Sequence, residues 1–164
     1  KFFIRIKNLH IFNPATFGLI ISLFAFDFGD VWWAAVGFPF MGYTIVLTPL
    51  LVIANFKALK LRVALPFLVT FALASYVSGL VTFPLTDQNI VNFILSLPFF
   101  YAFIMVSEPK TSPYIYRQQI VFGVLVALLF FALLFYNVRF SFFIALLIGN
   151  LAYALYRNFF TRKQ

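Results

Sequence analysis

The sequence predicts an all-helical integral membrane protein, with a single transmembrane domain of about six helices over residues 1–164. Three observations lead to that fold class. Of the 164 residues, 64% are hydrophobic and only 10% are charged, whereas a soluble domain is about half apolar and about a quarter charged. The apolar residues form six long runs, which a soluble domain of this size could not bury. The 12 Lys and Arg residues outnumber the 4 Asp and Glu residues, and they concentrate in alternate connections between the runs.

The six runs are predicted as transmembrane helices, some of them short or broken by proline. The first is short for a hydrocarbon core about 30 Å thick, which needs about 20 helical residues. Asn13-Pro14 opens this run with a capping residue followed by proline. Pro39 and Pro49 should bend the second run, and Pro98 should break the fourth. The runs cover residues 12–26, 32–55, 63–83, 90–106, 117–136 and 141–157.

The charges predict the orientation of the chain. If the first residues are cytoplasmic and all six runs cross the membrane, 11 of the 12 cations face the cytoplasm and only Arg139 faces outward. Cytoplasmic loops of membrane proteins collect Lys and Arg, so we predict that both termini are cytoplasmic. The positive charge therefore indicates topology, and we expect no nucleic-acid partner. The predicted cytoplasmic cations are Lys1, Arg5, Lys7, Lys57, Lys60, Arg62, Lys110, Arg117, Arg157, Arg162 and Lys163.

The polar stretch at residues 105–113, Met-Val-Ser-Glu-Pro-Lys-Thr-Ser-Pro, separates the fourth and fifth runs. Pro109 should end the helix before it, because proline lacks an N–H and clashes with a preceding helical turn. Ser112-Pro113 is typical of a helix start, with a capping serine followed by proline at the first helical position. The sequence therefore predicts a new helix at Pro113.

Two helix N-termini are thus predicted on the cytoplasmic face. Their unpaired N–H groups and positive dipole ends would suit a phosphate, a carboxylate or the polar edge of a flavin or quinone. A simpler interpretation remains open, in which the cations only set the topology, the hydroxyls only cap helices and Glu108 pairs with Lys110 or Arg117. No catalytic residue and no metal site are predicted. The candidate cofactor-binding residues are Asn13, Glu108, Lys110, Thr111 and Ser112.

Other residues limit the cofactors that this chain can hold. The sequence contains no Cys, so we expect no iron–sulfur cluster and no thiolate zinc site. His10 is the single histidine, which excludes a haem with two histidine ligands. In the sixth run, Asn150 must hydrogen-bond inside the bundle rather than face lipid, and Gly149 should allow a close helix–helix approach.

The loop and the first cap together resemble a known family. Asn13-Pro14-Ala15 opens one run, and residues 102–113 close another with Ala-Phe-Ile-Met-Val-Ser-Glu-Pro-Lys-Thr-Ser-Pro. This combination resembles the RnfD/NqrB membrane-subunit family of the Rnf and Na⁺-translocating NADH:quinone reductase complexes, in a short form. The corresponding loop of that family reads approximately Ala-Phe-Phe-Met-Ala-Thr-Asp-Pro-Val-Thr-Ser-Pro. The resemblance implies a urea-transporter-like helical fold built from inverted repeats, in the bacterial cytoplasmic (inner) membrane.

The resemblance also implies electron transfer between a cytoplasmic NAD(P)H- or ferredoxin-linked flavin reductase and a membrane flavin or quinone, coupled in that family to Na⁺ or H⁺ movement. The implied cofactor is noncovalent FMN or riboflavin, or a quinone. The implied partners are the lipid bilayer, a cytoplasmic flavin reductase domain or subunit, and further copies or subunits of a larger complex. Short relatives continue into a cytoplasmic reductase domain. We therefore expect this sequence, which begins with Lys1 rather than Met, to belong to a longer chain.

The sequence departs from the family at the point where FMN is attached. The family links FMN to the threonine of a Ser-Gly-Ala-Thr motif, and the nearest segment here, Ser78-Gly-Leu-Val-Thr82, is one residue longer. Two other functions fit the same sequence. One is a small-solute channel or carrier, which the implied fold would permit, and the other is a structural anchor for a soluble partner domain. A flavin spectrum would separate the electron-transfer function from the anchor.

Overall fold

The computed structural model describes residues 5–6, 9–26, 41–79 and 97–160, and their regular secondary structure is helical apart from one short strand pair. Strand β1 (Arg5–Ile6) pairs antiparallel with β2 (Leu9–His10). The predicted all-helical class is confirmed for the described residues. Pro39, Thr82 and the predicted turns at residues 27–30 and 85–89 lie outside them. The helices are α1 (Pro14–Phe26), α2 (Met41–Lys57), α3 (Leu61–Val77), a π-helix (Tyr101–Val106), α4 (Tyr116–Phe135) and α5 (Ser141–Phe160).

Two of the described helices are long and apolar enough to span a membrane, at Tyr116–Phe135 and Ser141–Phe159. Helix α1 has 13 residues, which corresponds to a length of about 20 Å. The expectation of a short first helix is therefore confirmed. At the predicted break, Leu97 and Pro98 are not helical and helical structure begins at Phe99.

Helices α3 and α4 run parallel and form the closest helix pair of the fold. Gly123 of α4 lies against the backbone of Val63, where an added Cβ would stand only 2.3 Å from the Val63 carbonyl oxygen. Further along, the ring of Phe71 stacks on that of Phe130 with centroids 5.5 Å apart. Only glycine at position 123 permits this backbone approach, so one residue sets the spacing of the two helices.

Helix α5 packs antiparallel on α4 through another glycine. A Cβ at Gly149 would lie 2.8 Å from Cγ2 of Val126, which agrees with the close approach predicted for this residue. Helix α1 packs against α5, and at one end of this contact Phe24 meets Phe140 edge to face at 5.7 Å. The described helices therefore have two common ends, the Lys60 end and the Phe140 end, named after residues that lie there.

The charged residues divide unevenly between these two ends. The connection between α2 and α3, the start of α4 and the last turns of α5 all lie at the Lys60 end, and Arg139 lies at the Phe140 end. An aromatic cluster fills the interior on the Phe140 side, where the rings of Phe130 and Phe142 stack at 4.0 Å. The Lys60 end holds Lys57, Lys60, Arg62, Lys110, Arg117 and Arg157.

Candidate functional site

The polar loop between the π-helix and α4 is closed by its own hydroxyl groups. The Ser107 hydroxyl donates to the Phe103 carbonyl at 2.6 Å, and the Ser112 hydroxyl donates to the Glu108 carbonyl at 2.7 Å. The Ser112 amide also donates to the Glu108 carbonyl, at 3.0 Å. Thr111 and Ser112 are buried. Both hydroxyls donate to backbone carbonyls four residues earlier, and they thereby stabilise the local fold of the loop.

The sequence predicts a helix start at Pro113, and this prediction is wrong. Helix α4 begins at Tyr116, and the residue before it, Ile115, is extended with φ −77° and ψ 131° and provides no side-chain cap. The Ser112 hydroxyl points back to Glu108 and does not cap α4. The second of the two predicted helix N-termini is therefore displaced from the hydroxyl groups that were expected to accompany it.

The first predicted cap at Asn13 is confirmed. Its Oδ1 accepts from the amides of Ala15 and Thr16 at 2.9 and 3.1 Å, which caps the N-terminus of α1. Its Nδ2 donates to the Met105 carbonyl of the π-helix at 3.0 Å. One buried side chain thus fixes the start of α1 to the end of the π-helix, close to Ser107.

The π-helix accepts hydrogen bonds from side chains on two other segments. Asn55 near the end of α2 donates to the Phe103 carbonyl at 2.7 Å, and it also donates to the Leu51 carbonyl of its own helix. A π-helix shifts its internal bonds from the i+4 to the i+5 residue, and such turns are frequent at functional sites. Asn55 is buried, and the sequence alone did not single it out.

Lys60 is the most unusual residue at this end. Its side chain is 1% exposed, and its ammonium donates to the Pro113 carbonyl at 2.7 Å and to the Ser112 carbonyl at 3.3 Å. The same ammonium lies 4.2 Å from the centre of the Tyr114 ring, which is a favourable cation–π distance. Burial lowers the pKa of Lys60 from 10.5 to about 8.

Gln119 completes the contacts around Pro113. From the first turn of α4, its Nε2 donates to the carbonyls of Pro113 and Leu59, both at 3.1 Å. The turn between α2 and α3 and the loop before α4 are thereby cross-linked by two side chains. Sequence reasoning treated Lys60 only as a topology charge and did not identify Gln119, because neither residue belongs to a local motif.

The five predicted site residues are only partly brought together. Asn13 reaches the π-helix end, and Thr111 donates to the Glu108 carboxylate at 3.4 Å. Glu108 is half-buried, whereas Lys110 is exposed. The backbone and hydroxyl groups of the loop are largely engaged within the protein. A ligand would therefore find few free donors at the loop itself.

A groove beside the loop offers more room. It has a volume of about 390 Å³ and lies between α4 and α5, within the size range of small-molecule sites. Arg117 and Gln118 form its polar edge beside Pro113 of the loop, and the rings of Phe122 and Tyr153 meet edge to face at 6.1 Å in its wall. The remaining lining residues are Val121, Leu125, Gly149, Ala152 and Tyr156.

The described residues contain no group of three His, Cys, Asp or Glu side chains that could hold a metal ion. In comparisons with known proteins, no family model, no curated protein and no solved structure matches the chain. The functional interpretation therefore rests on the residues and on their geometry.

Proposed function

We propose that the chain is a multi-pass membrane protein that binds a quinone in the groove between α4 and α5 and passes electrons to it from a cytoplasmic flavin reductase. The observation that carries this proposal is the groove itself, which combines an apolar, aromatic trough with an arginine and an amide at one end.

The exposed surface supports a lipid environment. Large apolar side chains point outward along α2 and α3, among them Phe56, which is 69% exposed, and Leu73, which is 61% exposed. Soluble monomers rarely expose contiguous apolar patches of this kind, whereas a bilayer would cover them. The alternating helix directions and the concentration of cations at the Lys60 end support several crossings with that end in the cytoplasm.

The groove suits a molecule with a flat ring and an apolar tail. Tyr153 and Phe122 offer ring surfaces, and Val121 and Leu125 extend the apolar wall along α4. Arg117 and the Gln118 amide can donate hydrogen bonds to a ring carbonyl at the polar edge. Such a ligand would enter from the lipid phase, because the groove is open along one side of the bundle.

A quinone bound there is a two-electron, two-proton acceptor. Its ring would lie near the loop of residues 107–115, at the end where a cytoplasmic reductase can approach. The resemblance of this loop to the RnfD/NqrB family supports a flavin reductase as the electron donor. Arg117 and Arg157 would also favour an anionic form of the ring by their positive charge.

Quinone binding tests this proposal directly. Purified protein in detergent is titrated calorimetrically with a short-chain quinone, and Ala152→Phe, which fills the groove, should abolish the binding signal. Ala132→Phe is the matched control, because Ala132 is an exposed alanine of α4 that does not line the groove. Equal affinity in both variants would contradict the groove as the site.

Three additional titrations separate the alternatives. Lys110→Ala and Asn13→Ala should bind the quinone like the wild type if the groove is the site, and more weakly if the loop holds the ligand. FMN titrated in place of the quinone tests the flavin alternative. Absence of binding for both compounds would exclude the proposed redox function for this chain and leave the channel and anchor functions open.

A further inference from the structure

Two buried polar side chains, one on α1 and one on α5, have no hydrogen-bond partner among the residues that the structure describes. Thr16 on α1 is fully buried, and Asn150 on α5 is 1% exposed. Neither the Thr16 hydroxyl nor either polar atom of the Asn150 carboxamide is hydrogen-bonded within the described part of the chain. The sequence predicted that Asn150 hydrogen-bonds inside the bundle, and no such bond is present among the described residues.

Both residues lie at the same depth. Helices α1 and α5 are antiparallel and meet at Phe24 and Phe140. Thr16 precedes Phe24 by about 12 Å of helix, and Asn150 follows Phe140 by about 15 Å, given a rise of 1.5 Å per residue. Their positions along the bundle therefore differ by only about 3 Å.

Both residues also belong to buried faces. Thr16 shares its face of α1 with Leu23, and these are the two buried residues of that helix. Asn150 lies one turn from Leu146 and one turn from Ala154, and both of these are buried. The two unpaired groups thus lie among buried side chains along their helices.

The chemistry of the two groups limits what could satisfy them. A threonine hydroxyl both donates and accepts, and an asparagine amide offers a donor nitrogen and an acceptor oxygen. Buried polar atoms are nearly always hydrogen-bonded in folded proteins, to protein groups or to water. A bare cation fits poorly, because the amide nitrogen of Asn150 presents hydrogens and the only acidic residue in the described ranges, Glu108, belongs to the distant loop.

We propose that Thr16 and Asn150 form a buried hydration site between α1 and α5, in which water bridges the threonine hydroxyl and the asparagine carboxamide. Water supplies both donors and acceptors, and buried waters bind two to four otherwise unsatisfied polar groups. The site ties the first described helix to the last one across an apolar layer. It is independent of the quinone groove, which lies on the α4 side of α5.

Radiolytic labelling in ¹⁸O-enriched water tests the site. X-rays generate hydroxyl radicals from bound water, and these radicals modify the nearest side chains even when the residues are buried. We expect ¹⁸O label in the wild type at Leu146, one turn from Asn150, and at Leu19, one turn from Thr16. Absence of label at both leucines would show a dry interior and overturn the proposal.

Substitutions assign the label to this pair. Asn150→Leu and Thr16→Val should each remove the label, whereas Thr48→Val should leave it unchanged. Thr48 is the matched control because its hydroxyl is also buried without a partner in the described ranges, but on α2. Label that persists in both substituted proteins would place the water elsewhere and contradict the proposal.

A second measurement covers the case in which Asn150→Leu does not fold. Asn150→Ser keeps a polar group, and its melting temperature is compared with those of Thr16→Val and the double variant. A shared site predicts that the two effects are not additive, because both substitutions change the hydrogen bonding of the same water. Additive shifts would mean that the two residues do not share a water.

Discussion

The ammonium of Lys60 donates a 2.7 Å hydrogen bond to the carbonyl oxygen of Pro113, which joins the turn between α2 and α3 to the loop before α4. Gln119 donates to the same oxygen, so two side chains from different segments share one acceptor. This acceptor also explains why α4 does not begin at Pro113. The Pro113 carbonyl accepts from Lys60 and Gln119, Ile115 is extended, and the helix begins only at Tyr116.

Lys60 predicts an unusual pH dependence of stability. The unfolded chain keeps the Lys60 proton up to its ordinary pKa of 10.5, whereas the folded protein releases it near 8. Between these values the unfolded state holds more protons, so this group makes the free energy of unfolding rise with pH.

Melting temperatures in detergent micelles from pH 7 to 10.5 should show this rise in the wild type and lack it in Lys60→Met. Lys57→Met, with an exposed lysine at the end of α2, should follow the wild type. Parallel curves for all three proteins would rule out titration of Lys60 in this range.

Asn13 has two functions that substitutions can separate. Asn13→Asp keeps the cap of α1 but loses the donor to the Met105 carbonyl, and it should destabilise the protein by about 1 kcal/mol. Asn13→Ala loses both and should cost about 1–3 kcal/mol in total. The free energy of unfolding is measured by titration with a denaturing detergent. Equal losses in the two variants would show that the cap contributes nothing measurable.

Gly123 should tolerate no larger residue. Gly123→Ala places a methyl group against the Val63 carbonyl at a distance that real contacts do not show, so α3 and α4 must separate. The expected loss is about 1–3 kcal/mol. Gly18→Ala on α1 is the control, because an added Cβ there meets nothing within 4 Å and alanine favours a helix by up to about 1 kcal/mol. A lower melting temperature for Gly18→Ala than for Gly123→Ala would contradict the packing of α3 on α4.

The proposed orientation can be tested on intact cells. Tyr136 at the Phe140 end and Lys110 at the Lys60 end are both exposed, and the protein contains no native cysteine. A membrane-impermeant maleimide should label Tyr136→Cys from outside, and it should label Lys110→Cys only after the cells are permeabilised. The reverse pattern would invert the topology, and labelling of both positions in intact cells would argue against a membrane-spanning bundle.

The sequence predicted the helical class and the cap at Asn13 because both depend on local information. Apolar runs, prolines and an asparagine before a proline are properties of neighbouring residues. The prediction at Ser112 failed because of a contact that is distant in the chain. The ammonium of Lys60, 53 residues away, donates to the Pro113 carbonyl, which lies outside any helix. The contact of Asn55 could not be predicted for the same reason, because its acceptor, the Phe103 carbonyl, is 48 residues away. The groove could not be predicted either, since it depends on how α4 and α5 pack.

The distance along the chain between Lys60 and its acceptors also constrains the order in which the protein is assembled. Those acceptors lie 52 and 53 residues downstream, so the ribosome delivers Lys60 well before the carbonyl groups that receive it. At about 5–20 residues per second, the delay amounts to several seconds. During this interval the Lys60 ammonium, in the turn between α2 and α3, must remain hydrated. Helices α2 and α3 can reach their final positions only after the loop before α4 has been synthesised. The loop therefore fixes the early part of the chain at a late stage of folding.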